Sequence, residues 1–163
     1  MENSAAVRGF TLVELCCVIV IAGVLGALAG PRILDSSPAF NQRGYTDELG
    51  AALRTAGEVA LANGCGVQVT ITPGAGFSAM QPVLGPGNSC TASYSVPVLQ
   101  ADGTALSAQP PRNADVTAAA TLTFNSNGTV AGPANIVVAG MPAGFTTPLT
   151  IQVDPQSGFV TLP

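Results

Sequence analysis

The sequence predicts an α+β fold, in which a long amino-terminal helix, membrane-spanning in its first half, packs on an antiparallel β-sheet. Three observations carry this reading. Between Phe10 and Gly30 the only charged side chain is Glu14. From Tyr45 to Asn63 apolar residues recur at helical spacing. Beyond Gly64 the pattern changes to short alternating stretches punctuated by Gly, Pro, Asn and Asp. A helix followed by a run of strands is the order that gives α+β layering.

In a helix rising ~1.5 Å per residue, Phe10–Gly30 spans about 31 Å, enough for a hydrocarbon core of ~30 Å. Its Leu, Ile and Val side chains each favour insertion by roughly 0.3–0.6 kcal/mol near the centre, against roughly 2.5–3.5 kcal/mol for a central charge. Glu14 lies near one end, where that cost is smaller. Ala22, Gly26 and Gly30 recur every four residues on one face and let neighbouring helices approach closely. Pro31 lacks an N–H, so the helix is expected to be kinked or interrupted near Pro31–Pro38. Ser37 reads as an N-cap, with Pro38 at the first helical position. Leu49, Leu53, Ala56, Val59 and Ala60 form one apolar stripe, with Asp47, Glu48, Arg54 and Glu58 mostly on other faces. Gly64, able to take the left-handed conformation, ends the helix.

Val67, Val69 and Ile71 alternate with polar residues and start the sheet. Pro73-Gly74-Ala75-Gly76 is a turn, and Phe77–Gln81 returns as a hairpin partner. Pro82–Pro111, rich in Gly, Pro, Ser and Asn, reads as a long surface loop with one short strand around Ser93–Leu99. Thr121–Asn125 and Asn135–Ala139 are strands, with Ser126-Asn127-Gly128 as a tight turn after the first. Leu149–Val153 and Gly158–Leu162 bracket Asp154-Pro155-Gln156-Ser157 as a final hairpin. Phe40, Phe77, Tyr94, Phe124, Phe145 and Phe159 are the expected larger pieces of the core.

Composition narrows the function. The chain has 163 residues with a formal net charge of −4, and contains neither Lys, His nor Trp. Beyond the apolar run the only basic side chains are Arg32, Arg43, Arg54 and Arg112, which argues against nucleic-acid binding through phosphate neutralisation. Of the four cysteines, Cys16 and Cys17 lie in the apolar helix and read as small fillers. Cys65 and Cys90 flank a Gly/Pro-rich stretch. In an extracytoplasmic domain they are the natural disulfide, closing a loop of about 26 residues worth roughly 3–4 kcal/mol in the chain-entropy treatment. The alternative is a pair of buried free thiols. Their spacing does not suit zinc, and no histidine is present to complete such a site.

The lead-in to the apolar run is short and polar and ends in Arg8-Gly9. An ordinary secretory signal is cut after its apolar region; a cut between Gly9 and Phe10 instead leaves the whole apolar helix on the mature chain. Gly9-Phe10-Thr11-Leu12-Val13-Glu14-Leu15 resembles the processing motif of type IV pilins and type II secretion pseudopilins. That resemblance implies cleavage after Gly9 by a prepilin peptidase, N-methylation of Phe10, and a role for Glu14 in filament assembly. Glu14 falls one helical turn after Phe10, on the same face. The family places this carboxylate against the positive N-terminus of a neighbouring subunit, and an intramembrane charge is expensive unless paired. The plainer reading is a signal anchor whose Glu14 sits near the headgroups.

A second resemblance covers the later sequence. Asp47–Thr72, Thr123–Gly128 and Leu149–Val160 resemble the GspH/FimT-type minor pilin domain. Within that group, Phe40-Asn41-Gln42-Arg43-Gly44-Tyr45 and Gly64-Cys65 most resemble the C-type biogenesis minor pilin of the mannose-sensitive haemagglutinin (MSHA) pilus.

Enzyme chemistry finds little support. Gly74-Ala75-Gly76-Phe77-Ser78-Ala79 formally matches a dinucleotide fingerprint, but no helix is predicted after it, so a hairpin turn is the better reading. Without histidine, no Ser–His or Cys–His pair can be built. Asp102, Asp115 and Asp154 fall in predicted loops with no matched partner. No enzyme activity, cofactor or metal is expected.

The chain therefore reads as a leader (1–9), a transmembrane and filament-core helix (10–30) and a periplasmic pilin-like domain (31–163). As an MSHA-type minor pilin it would lie single-pass in a bacterial inner membrane, N-terminus cytoplasmic, and then enter a pilus or pseudopilus, initiating or priming assembly. The partners implied are other minor and major pilins or pseudopilins, the prepilin peptidase, the inner-membrane assembly platform and the membrane itself. One alternative is the minor pseudopilin H of a type II secretion system. Others are a pilus-displayed receptor for glycans or DNA, and an anchored domain with no fibre. A shortage of exposed aromatics is the objection to glycans.

Overall fold

A computed structural model of the chain describes residues 12–35, 37–140 and 146–163. They form two compact units that divide between Ser37 and Pro38. The first contains α1 (Leu12–Asp35), and α2 follows at Ser37–Asn63; Ser36, inside the interval where a kink or interruption is expected, lies outside the described residues.

The core of the second unit begins on α2. Tyr45, Leu49, Ala52, Leu53, Ala56 and Ala60 are buried, while Asp47, Glu48, Arg54 and Glu58 face solvent. This is the expected stripe, with Val59 half-buried at its edge. It extends one turn further toward the N-terminus than expected, through the buried polar residues Gln42 and Thr46. The Thr46 hydroxyl donates to the Gln42 carbonyl at 2.8 Å, one turn back, and is thereby satisfied inside the helix. Gly64 ends the helix at φ 64°, as its sequence position predicts.

Two antiparallel sheets pack into one core with α2, where the sequence predicts a single sheet. The first contains β1 (Val67–Thr72), β2 (Gly76–Leu84), β3 (Cys90–Pro97), β4 (Ser107–Ala108), β6 (Ala120–Phe124) and β7 (Val130–Ala131), in the order β3-β2-β1-β6-β7 with β4 also on β2. The second contains β5 (Ala114–Val116), β8 (Asn135–Gly140), β9 (Leu149–Val153) and β10 (Val160–Thr161), in the order β10-β9-β8-β5. Register aligns the buried residues into rows. Ala79, Val69 and Leu122 lie opposite one another across β2, β1 and β6, and Val116, Val138 and the half-buried Leu149 do so across β5, β8 and β9. Such directly opposed pairs are the unit of sheet stabilisation.

The helix touches both sheets. A Cβ on Gly57 would lie 3.3 Å from the Phe124 ring in β6, so the missing side chain lets the backbone close on that aromatic. At the other end the Gln42 amide donates to the carbonyls of Val138 in β8 and Thr147, each at 2.9 Å. Arg54 donates to the Val160 carbonyl in β10 at 3.0 Å.

The stretch that reads as a long loop is largely structured. β2 runs on to Leu84, β3 pairs with it, and Val98 and Leu106 are core residues. Pro82 hides this in the sequence, because proline is disfavoured inside a central strand. It is accommodated because the β1 partners of β2 stop at Met80, and the ladder to β3 carries irregularities on both sides of Pro82. Asp115, likewise expected in a loop, is the middle residue of β5. The final hairpin forms as expected, with its second strand shortened to Val160–Thr161.

Two of the six expected core aromatics are exposed instead: Phe40 is 80% exposed and Phe159 67%. Phe40 lies two residues before Gln42, about 200° around the helix from the buried stripe. Phe159 precedes the inward-facing Val160 and points the opposite way by strand alternation. Phe77 and Phe124 are buried and Tyr94 half-buried. Phe145 lies outside the described residues.

Candidate functional site

Gly9 and Phe10, the expected processing and methylation residues, lie outside the described residues. Glu14 stands in the first turn of α1 and is exposed. Around it Leu12, Val13, Leu15, Val18, Ile19, Val20 and Ile21 are all more than half exposed. An apolar helix face left open in this way is a surface made for something other than water. Cys16 and Cys17, on the same stretch, are free and exposed. Among the described residues no helix is long and apolar enough to cross a membrane. The expected span reaches beyond them, since Phe10 and the side chains of residues 24–30 lie outside.

Cys65 and Cys90 are joined in a disulfide, their Cα atoms 5.7 Å apart and their positions 25 residues apart in sequence. Cys65 is buried just before β1, and Cys90 is exposed at the start of β3. The bond therefore ties the edge strand β3 to the exit of α2. Two free thiols are ruled out.

The three isolated aspartates serve the backbone. Asp102 accepts from the N–H and hydroxyl of Thr104 at 2.9 and 2.7 Å, and these hydrogen bonds, the hydroxyl's first, hold its carboxyl below the usual range. Asp154 accepts from the N–H groups of Gln156 and Ser157 at 2.8 and 3.0 Å, and its carboxyl is likewise lowered, chiefly by the Ser157 bond. Both are turn formers of the kind aspartate supplies. Asp115 reaches across to accept from the Gly74 N–H at 2.6 Å, fixing the β1–β2 turn beside β5. Gly74-Ala75-Gly76, formally part of a dinucleotide fingerprint, is that turn, and a strand follows it instead of a helix. Among the described residues no group of three His, Cys, Asp or Glu is arranged to hold a metal ion.

Two buried side-chain hydroxyls, those of Tyr45 and Thr146, have no hydrogen-bond partner among the described residues. Tyr45 packs against Phe77 with ring centroids 6.5 Å apart, and its hydroxyl is buried without a hydrogen-bond partner among the described residues. Burial, then the negative charges of Asp115 and Glu48, push its pKa up from 10.0 to about 12.

Beside the last hairpin, a groove of about 540 Å³ opens between α2 and the β9–β10 turn. Phe124 and Val160 line it, with Leu61 and Phe159 exposed at its lips and Arg54 and Glu58 on its helix side. Of the aromatics among the described residues, Phe40 and Phe159 are the exposed ones. Sequence reasoning misses this groove because it assigns Phe159 to the core; its place immediately before the inward Val160 is the available signal.

The architecture of α2, two antiparallel sheets and a disulfide can be set beside known proteins. The profile described as type II transport protein GspH matches residues 45–157, from the buried Tyr45 on α2 to the β9–β10 turn. The chain belongs to the GspH family. It is also 38% identical over 90 residues to the type IV narrow pilus major component PilA5 of Thermus thermophilus, a match covering 53% of this chain and 77% of that protein. No solved structure matches the chain. Membership of the GspH family puts the chain in the type IV pilin and pseudopilin superfamily, whose members are structural subunits and not enzymes. The GspH match begins within the second unit, so it is independent of the Gly9–Leu15 string that carries the same resemblance.

Proposed function

We propose that this GspH-family chain is a fibre subunit, processed after Gly9, methylated on Phe10, and held in the inner membrane by residues 10–30 until it is assembled. Its finer role is that of a minor pilin of an MSHA-like pilus, priming assembly together with other minor pilins. The observation that carries this reading is the placement of Glu14. One acid stands in the first turn of an exposed apolar helix, within a prepilin-type string, on a chain whose second unit is pilin-like. In lipid such a carboxylate is stable only beside a cation. The methylated amine of a neighbouring Phe10 supplies one, and it joins register to charge pairing. The domain presented by residues 31–163 then faces outward into the periplasm or along the fibre.

N-terminal sequencing of the chain made with and without a prepilin peptidase tests the processing step. A mature start at Phe10 is expected only with the peptidase; retention of Met1–Gly9 in its presence defeats the fibre reading. A second reading, the minor pseudopilin of a type II secretion system, is compatible with the family's description as a type II transport protein. Neighbouring genes separate the two: a set of MSHA-type pilus genes for the first, a secretin with secretion-platform genes for the second.

A further inference from the structure

Three glycines lie inside α2, at Gly44, Gly50 and Gly57. Glycine destabilises a helix interior relative to alanine, so each calls for a reason. Gly57 lets the backbone close on Phe124, and Gly50 faces Leu162, whose side chain fills the place a Cβ would take. Gly44 has no such neighbour: nothing lies within 4 Å of where its Cβ would stand. It comes four residues after Phe40 and four before Glu48, so the three share one helix face. The missing side chain leaves a notch between an exposed ring and an exposed carboxylate. That notch belongs to a cavity of about 260 Å³, walled by Asn41 and Tyr45 on the helix and by Gln109 and Pro111 of the β4–β5 connection.

The cavity is electronegative. Among the described residues Glu48 has no ion pair. The Tyr45 hydroxyl is buried without a hydrogen-bond partner, and the charges that act on it are the carboxylates of Asp115 and Glu48. Among the described residues no cation lines the cavity: Arg43 faces a separate hollow beside Thr46, Asp47 and Leu149, and Arg112 is exposed next to Pro111 without contributing to the wall. A single carboxylate is too little for a metal ion, which wants several oxygen ligands. An exposed aromatic ring beside an unpaired carboxylate suits a weakly hydrated organic cation instead, because the ring face and the carboxylate both attract positive charge. The side-chain oxygens of Asn41 and Gln109 add acceptors for any N–H it carries.

We infer that this cavity binds a small alkylammonium ion, its nitrogen seated in the Gly44 notch between Phe40 and Glu48. The volume lies below the ~300–1,000 Å³ of most ligand pockets, which sets the small size of the occupant. All the residues involved belong to the second unit. The inference goes beyond the fibre reading and does not rest on it, since binding is measured on the unassembled chain.

The test titrates choline and butylammonium into the full chain by calorimetry, in a non-ionic detergent free of ammonium groups. The uncharged isostere of choline, with carbon in place of nitrogen, serves as the control. Saturable binding of either cation is expected, with the isostere weaker by about five-fold or more. Phe40→Ala and Glu48→Gln should each weaken binding by about two- to five-fold, the range for an exposed cation–π contact or ion pair. Gly44→Leu should abolish binding with the melting temperature unchanged or raised, because the new side chain meets open space and leucine is the better helix former. That combination separates a filled notch from a misfolded chain. Absence of saturable binding by both cations, equal binding of the isostere, unchanged affinity in Phe40→Ala and Glu48→Gln, or binding that survives Gly44→Leu each overturns the inference and leaves the fibre reading standing.

Discussion

Gln42 is one of two buried polar residues on α2. Its single amide group donates to two carbonyls, Val138 in β8 and Thr147 before β9, and so joins α2 to the second sheet across 96 and 105 residues of sequence. Leaving the buried Val138 carbonyl unpaired costs about 1–3 kcal/mol. Gln42→Leu should therefore lower unfolding stability by that amount, measured as a shift of the urea midpoint with unchanged slope. Tyr45 makes the opposite prediction. Its hydroxyl has no partner to lose, so Tyr45→Phe should leave stability at neutral pH unchanged or raise it by up to about 1 kcal/mol. The pH dependence follows from the raised pKa, since the folded state binds the phenolic proton more tightly than the unfolded chain does. That contribution is intact below pH 10 and is lost as pH rises through about 12. Denaturation at about pH 9 and about pH 11, either side of the unfolded tyrosine's pKa, should show a drop in the parent chain that Tyr45→Phe lacks. The sequence marks Tyr45 as the start of a helical stripe. It does not mark Gln42 as buried, because a polar residue before an apolar stripe has no periodicity of its own to declare its partner.

At the scale of elements, alternation is readable wherever one face of a strand is buried and the other wet. β1, β6, β8 and β9 follow that pattern, and so does the stripe of α2. The β2–β3 ribbon is readable only in part: Phe77–Gln81 and a short strand around Ser93–Leu99 are expected, but not the run of β2 to Leu84, the start of β3 at Cys90 or their pairing. Pro82 and Pro97 sit within it, and a strand is tolerated there only because β1 ends before Pro82 and β3 is an edge. Neither condition is local. The same ribbon is secured by Cys65–Cys90, a pairing the sequence does suggest through its position. Replacing both cysteines with alanine should lower stability by roughly 3–4 kcal/mol, the loop-closure entropy of about 26 residues. Comparison of oxidised, reduced and double-alanine chains by thermal denaturation checks it. Equal midpoints for all three would show that the bond constrains a loop already ordered in the unfolded state.

For the whole molecule, the decisive arrangement is one helix serving two sheets. α2 presents Gly57 to Phe124 of the first sheet and Gln42 to Val138 of the second, and its stripe is wide enough to be covered by both. The expectation of a single sheet fails because strand count and turn signals do not say which strands pair. β1 takes β6 as its neighbour across a long stretch of intervening chain, while β5 and β8–β10 assemble separately. At this scale the fibre reading makes its own prediction. Glu14→Gln removes the charge and keeps the shape, and should abolish or sharply reduce incorporation into fibres while the chain still accumulates in the membrane. Immunoblotting of sheared fibres against membranes measures the ratio; unimpaired incorporation would dismiss the carboxylate's role.

What the sequence determined by itself is everything written in contiguous residues. The Gly9–Leu15 string, the apolar run after it, the helical stripe ending at Gly64 and the final Asp154 turn each need only their neighbours, because backbone propensity, period and capping act over a few residues. The division into two sheets, the burial of Gln42, the outward turn of Phe40 and Phe159, and the groove between α2 and the last hairpin were decided by tertiary structure. Each depends on which distant surface lies opposite, and that is settled only when strands far apart in the chain compete for the same helix face.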